Sequence, residues 1–166
     1  MRLKYIKIIP VLSVITMMVC LQGCGTSKII VINPIAHSER IQKTVALKPG
    51  NHTVSVDKES LDIFEEVVGT NLYKGKRFAK GDDTVVAYRF IQFDKGNRFK
   101  RYLLGGIGNS GEGSLTVECR FINKDGQEIG KTQIEGKIGS GFFGGSMDSA
   151  IVSAANSLAT YVKKHG

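Results

Sequence analysis

The stretch SLTVECRFINKDGQEIG, residues 114–130, decides the fold. Apolar residues alternate with polar ones along its first part, as in a strand with one buried face: Leu115, Val117, Cys119 and Phe121. The pair Asp125–Gly126 that follows is a strong turn signal between two strands. Residues 127–138 then return as the partner. The sequence therefore predicts a β-hairpin, with Cys119 as a small core residue rather than a nucleophile.

Further elements precede this hairpin. Residues 84–94 carry β-branched and aromatic side chains on both faces, which is typical of a central strand. Residues 29–32, 41–48 and 52–56 are three more predicted strands. Asp57 is a candidate N-cap for a helix over residues 58–72, because apolar residues recur there with helical spacing: Leu61, Phe64, Val68 and Leu72.

The end of the chain predicts a second helix. Ser146 or Asp148 can cap it, and its buried stripe comprises Ile151, Ala154, Ala155, Leu158 and Val162. We therefore expect an α/β (α+β) domain over residues 29–166. It would be a two-layer sandwich of a largely antiparallel or mixed sheet with two helices on one face.

The N-terminus resembles a lipoprotein export signal. Positive residues at Arg2, Lys4 and Lys7 precede an apolar run over residues 8–21. The run offers only about 12 to 14 good helical positions, fewer than the ~20 of a membrane span. The sequence Leu21-Gln22-Gly23-Cys24 resembles the lipobox of bacterial lipoproteins. This resemblance implies cleavage after Gly23, lipid on Cys24, and a short lipidated tether over residues 24–28.

Compartment and charge restrict the partners. Gly25 stands where an Asp would resemble an inner-membrane retention signal, so we expect the outer membrane, facing the periplasm, in a Gram-negative source. Without Arg2, Lys4 and Lys7, 20 basic residues face 15 acidic ones, a net charge of +5. This excess suits lipid headgroups or acidic envelope polymers, and equally an ordinary solvated surface. We expect no nucleic-acid partner.

Two glycine-rich loops stand out. Residues 106–111 spell G-x-G-x-x-G, but a strand pattern follows instead of the helix that a dinucleotide site requires. We therefore interpret the first loop as a connection needing positive φ or close packing. The second loop precedes a helix, whose amides could hold an anion. The loop glycines are Gly105, Gly106, Gly108, Gly111 and Gly113 in the first loop, and Gly141, Gly144 and Gly145 in the second.

The predicted interaction surface mixes basic and aromatic residues: Arg98, Lys100, Arg101, Tyr102, Phe142 and Phe143. It would meet an envelope protein or a lipid surface. The alternatives are a solvated strand end and phenylalanines that fold back onto the sheet. No catalytic or metal-ligand spacing is present, since His37, His52 and His165 are scattered, so we expect no enzyme and no cofactor.

Several ordered motifs resemble one bacterial lipoprotein family, which carries the domain of unknown function 4410. They are residues 96–103, Gly106 and Gly108, residues 115–118, Asp125–Gly126 and residues 141–145. The resemblance spans roughly Leu61 to Val162. It implies an exported, often lipid-anchored α/β domain and no established reaction. The combined expectation is an envelope-anchored lipoprotein that acts through contacts. The alternative is a periplasmic small-ligand or anion binder that uses the two loops.

Overall fold

A computed structural model describes residues 25–96, 113–138 and 145–166. Six strands form one mixed sheet, and two helices pack on one of its faces, as the sequence predicts. The elements in chain order are β1 Thr26–Asn33, β2 Thr44–Pro49, α1 Lys58–Tyr73, β3 Ala79–Lys80, β4 Thr84–Asp94, β5 Ser114–Asn123, β6 Glu128–Lys137 and α2 Met147–His165.

The sheet has the strand order β1-β6-β5-β4-β2-β3. Its first four strands are antiparallel, whereas β2 runs parallel to both β4 and β3. The segment β2–α1–β4 is therefore a βαβ unit, in which the helix makes the crossover between two parallel neighbours. The fold combines this unit with an antiparallel meander of β4, β5 and β6, to which β1 adds as a fourth antiparallel strand beside β6.

The predicted hairpin is confirmed. β5 and β6 pair antiparallel, and a tight turn joins them at Gly126, whose φ of 81° favours glycine. The Asn123 side-chain oxygen accepts hydrogen bonds from the amides of Asp125 and Gln127 at 3.1 and 2.9 Å. Cys119 is fully buried, which confirms its assignment to the core.

Both helices begin at predicted caps. The Asp57 carboxylate accepts a 3.0 Å hydrogen bond from the Ser60 amide at the start of α1. At α2 the cap is Ser146 and not Asp148. Phe64 of α1 packs against the rings of Tyr88 and Phe90, with centroids 5.0 and 5.4 Å apart. These contacts hold the helix layer on the sheet.

Three details differ from the sequence prediction. Residues 26–28, assigned to a tether, begin β1, because they pair with residues 135–137 of β6. The Ser27 hydroxyl is also hydrogen-bonded to α2. The prediction of a strand at 52–56 is wrong. That segment runs beside β4 and is joined to it by single hydrogen bonds, such as the one from the Thr53 amide to the Phe90 carbonyl. It does not form the regular ladder of a strand. The two-residue β3 was not predicted.

Helix α2 has nine buried residues, which include the whole predicted stripe. In the part of the chain that the structure describes, neither helix is long and apolar enough to cross a bilayer.

Candidate functional site

One end of the domain contains Gly25, where the chain enters β1, and the described flanks of both glycine-rich loops. In register across the sheet, Thr26 lies opposite Lys137, Lys137 opposite Ser114, and Ser114 opposite Asp94. Both helix N-caps, Asp57 and Ser146, lie at the same end and line one cavity there. We call this surface the N-cap end. Its residues are Gly25, Asp57, Lys95, Gly113, Ile138 and Ser146.

The chain enters the domain at the N-cap end in close contact with α2. A Cβ atom on Gly25 would overlap the carbonyl of Ser149 and would lie 2.7 Å from the Ala150 amide nitrogen. The Gly25 carbonyl accepts a 2.8 Å hydrogen bond from the Ser153 hydroxyl. The Ser27 hydroxyl donates to the Ser153 carbonyl at 3.0 Å. Glycine is therefore needed where the chain meets the helix.

The flanks of the two glycine-rich loops touch each other. The Ile138 amide donates a 3.0 Å hydrogen bond to the Gly113 carbonyl. A Cβ on Gly113 would lie 2.5 Å from Ile138 Cδ1 and 2.9 Å from the carbonyl oxygens of Asp94 and Lys95. This confirms, at Gly113, the close backbone packing that the glycine pattern predicts.

All six residues of the predicted interaction surface lie outside the described residues: Arg98, Lys100, Arg101, Tyr102, Phe142 and Phe143. The same holds for six of the eight loop glycines, Gly105, Gly106, Gly108, Gly111, Gly141 and Gly144, and for Gly23 and Cys24. The described residues that flank both loops, Gly96, Gly113, Ile138 and Ser146, all lie at the N-cap end. The sequence alone gave no indication that the two loops leave the domain at one end.

The cavity at the N-cap end has a volume of about 330 Å³. It is lined by Asp57, Glu59, Ser60, Lys95, Gly96, Ile138, Ser146, Met147 and Asp148. The Lys95 ammonium lies 2.9 Å from a carboxylate oxygen of Asp57. This hydrogen bond is the main cause that lowers the pKa of Asp57 to about 2, and it raises the pKa of Lys95. The described lining of the cavity therefore carries three carboxylates against one ammonium.

Groups that elsewhere carry catalysis have structural roles in this domain. Burial raises the pKa of the Cys119 thiol, which keeps it protonated and unreactive. His52 Nδ1 accepts a 3.2 Å hydrogen bond from the Phe90 amide. Over residues 25–96, 113–138 and 145–166, no group of three His, Cys, Asp or Glu side chains is placed to hold a metal ion.

The face of the sheet opposite the helices carries a buried carboxylate that the sequence prediction missed. Glu118 is 5% exposed. Arg89 and Lys131, from the strands on either side, approach its oxygens at 2.8 and 3.0 Å. Burial raises the pKa of Glu118, but the two cations outweigh this effect and the net pKa is lowered. The only sign of this cluster in the sequence was that Arg89 and Glu118, which pair in the β4–β5 ladder, carry opposite charges.

A second, shallow groove of about 580 Å³ lies between α1 and β2. Glu65 and Glu66 line its helix side. The Tyr73 hydroxyl donates a 2.8 Å hydrogen bond to the Val45 carbonyl beneath it.

Comparisons with known proteins agree with the fold. The model of a family described as a domain of unknown function, DUF4410, matches residues 65–141, which confirms the predicted resemblance to that domain over a shorter range. A search of curated proteins gave no match. A single-substitution variant of PelC from Paraburkholderia phytofirmans, a dodecamer, is similar in structure. Its TM-score is 0.50 at 15% identity, and the alignment covers 81% of this chain and 95% of PelC. A second PelC dodecamer from that organism gives 0.49 at 14% identity, with the same coverage.

Proposed function

We propose that this chain is a non-enzymatic lipoprotein domain of the cell envelope. It is cleaved after Gly23, anchored through lipid on Cys24, and acts through contacts with envelope proteins or surfaces. The observation that carries this proposal is the position of the lipobox-like sequence, residues 21–24. It ends directly before Gly25, which packs against α2, and Thr26, the first residue of β1. Each acyl methylene buried in a bilayer contributes about 0.8 kcal/mol, so two or three chains hold such a domain firmly.

The proposed location is the outer membrane, facing the periplasm, because Gly25 stands in place of the Asp that resembles a retention signal. The proposed contact surface is Arg98, Lys100, Arg101, Tyr102, Phe142 and Phe143. What supports this surface is that the described flanks of both loops meet at the N-cap end.

Mass spectrometry of the mature N-terminus tests the anchor. We expect Cys24 as the first residue, carrying a diacylglyceryl group and a further acyl chain. Cys24→Ser is the matched control and should accumulate as an unmodified precursor. An unmodified Cys24, or cleavage at another bond, would overturn the proposed anchor.

Crosslinking in intact cells tests the protein contact. We expect one specific crosslinked envelope protein, which is lost when Phe142 and Phe143 are both replaced by Ser while the thermal midpoint stays unchanged. Lys124→Ala is the control, since Lys124 is exposed at the opposite end of the domain. A lost fold without a change in specific crosslinks would mean that the phenylalanines belong to the core.

A second copy of this chain is one protein contact to test. PelC, which shares the fold, is described as a dodecamer. In this chain, β1 is an edge strand with Val31 47% and Ile32 51% exposed, and such edges pair readily with other strands. We expect light scattering to show an oligomer that Ile32→Lys dissociates. If the protein is a monomer at all concentrations, a second copy of this chain is not its partner.

The alternative function is a periplasmic small-ligand or anion binder. The cavity at the N-cap end favours a ligand site, but its three carboxylates repel an anion. A thermal-shift screen of the Cys24→Ser protein separates the two functions. A clear shift with one small-molecule class would favour the ligand binder over the contact domain.

A further inference from the structure

Almost no flexible linker would separate the lipid-bearing residue, Cys24, from the folded domain. Gly25 is held by the backbone of α2 and by the hydroxyl of Ser153. Consecutive Cα atoms are about 3.8 Å apart, so Cys24 starts within that distance of a fixed point on the domain. A lipid on Cys24 therefore brings one particular surface of the domain to the bilayer.

That surface is the N-cap end. Thr26 begins β1 at the end of the sheet where Lys137 and Ser114 lie, and Gly25 contacts the first turn of α2. The β5–β6 turn, at Lys124, is at the other end of the same strands. β5 has ten residues, which at about 3.3 Å each separates the two ends by roughly 30 Å. The two ends therefore differ greatly in depth if the strands stand upright.

We propose that the N-cap end lies directly against the lipid headgroups, and that the β5–β6 turn points away from the membrane. This inference rests on the proposed anchor at Cys24. The orientation follows from the short covalent connection. The described part of the surface carries Asp57, Glu59, Asp94 and Asp148 around Lys95, so these residues offer anionic lipid no net positive charge.

A depth measurement on the full-length lipidated protein tests this orientation. A single cysteine is introduced at Asp148→Cys or, as the matched control, at Lys124→Cys, both of which are exposed positions. Cys119 is buried, so the introduced thiol is the one that a fluorophore labels in the folded protein. The labelled proteins are reconstituted into phosphatidylcholine vesicles that contain a headgroup-quencher lipid.

We expect at least threefold stronger quenching at position 148 than at position 124. A flexible Gly/Ser linker of twelve residues between Cys24 and Gly25 spans about 20 Å and should remove this difference. Equal quenching in the protein without the linker, or stronger quenching at 124, would overturn the inference.

Vesicle flotation separates this result from a failure of the anchor. If the native protein does not float and behaves as the protein without residues 1–24 does, the proposed function fails at its first step and the orientation with it. If the native protein floats and the protein without residues 1–24 does not, the anchor holds, and the quenching data then decide the orientation alone.

Discussion

The Tyr88 hydroxyl donates a 2.5 Å hydrogen bond to Glu65 Oε1, which ties the centre of the sheet to helix α1. Tyr88 is almost completely buried, whereas Glu65 lies on the exposed side of the helix. Burial, and then the hydrogen bond to Glu65, raises the pKa of Tyr88 above the ordinary value of 10.0. The pair therefore couples the packing of the two layers to the protonation of one phenol.

The first prediction concerns alkaline pH. In the unfolded chain Tyr88 loses its proton near pH 10.0, while the folded phenol keeps it, so the free energy of unfolding falls as pH rises above 10.0. Tyr88→Phe should lower that free energy by about 1 kcal/mol at pH 7 and reduce its slope above pH 10. Urea denaturation at pH 7, 10 and 11 measures both effects. An unchanged alkaline slope in Tyr88→Phe would contradict the assignment.

The second prediction concerns acid pH and the cap of α1. The pKa of Asp57 is lowered from 3.8 to about 2, so its stabilisation is complete above pH 3.8 and is lost as pH falls towards 2. Asp57→Asn keeps a capping oxygen but removes the charge that faces Lys95. Its free energy of unfolding should therefore be lower than that of the native protein at pH 6, and the two values should converge near pH 2. Asp57→Ala should cost about 1 kcal/mol more at pH 6, because the cap is lost as well. Thermal unfolding between pH 2 and 7 checks these values, and two variants of equal stability at pH 6 would contradict the capping role.

The third prediction compares two carboxylates on the face of the sheet opposite the helices. Glu118→Ala leaves the Arg89 and Lys131 charges facing each other in a partly buried site, and should lower the free energy of unfolding by about 2 kcal/mol. Glu128→Ala removes a more exposed ion pair with Arg120 and should cost less than about 1 kcal/mol. Urea denaturation of both variants gives the comparison. A larger loss for Glu128→Ala would show that the buried cluster does not stabilise the sheet.

The fourth prediction is a stabilising substitution. Thr132 is fully buried on the helix-facing side of β6, opposite Cys119, and its hydroxyl has no hydrogen-bond partner among the described residues. Thr132→Val replaces this hydroxyl with a methyl group of similar shape, so it should raise the free energy of unfolding by about 1 kcal/mol. Thr116→Val is the control, since the Thr116 hydroxyl donates to Gln92 at 3.2 Å. A loss of stability in Thr132→Val would indicate that the hydroxyl has a partner.

The sequence predicts the elements whose own periodicity identifies them. Helix α1 and strands β4 and β5 fall where the apolar spacing places them, and the Asp125–Gly126 turn fixes the hairpin. The segment at 52–56 shows what such patterns miss. Val54 and Val56 alternate as in a strand because they pack against the core, but nothing in their spacing distinguishes that packing from a ladder. Local sequence patterns do not reveal the parallel pairing of β2 with β4 either, because it joins residues about 40 positions apart.

The candidate site is less predictable than the fold for the same reason. The glycine at position 113 is evident in the sequence, but its contact with Ile138 depends on two strands meeting in one register. The contact of Gly25 with Ser149 joins residues from opposite ends of the chain. A local pattern gives the composition of these segments, and only the folded sheet assigns them to one surface.

The antiparallel pairing of β1 with β6 also has a mechanical consequence. Its hydrogen bonds are perpendicular to the strands, over a register that runs from Thr26 to Asn33. A pull on the N-terminus of β1 along its axis, against a load borne by the rest of the sheet, shears these bonds together instead of opening them one by one. The domain is thus built to transmit tension through its first strand, so an anchor at this end could carry a sustained load without peeling the fold apart.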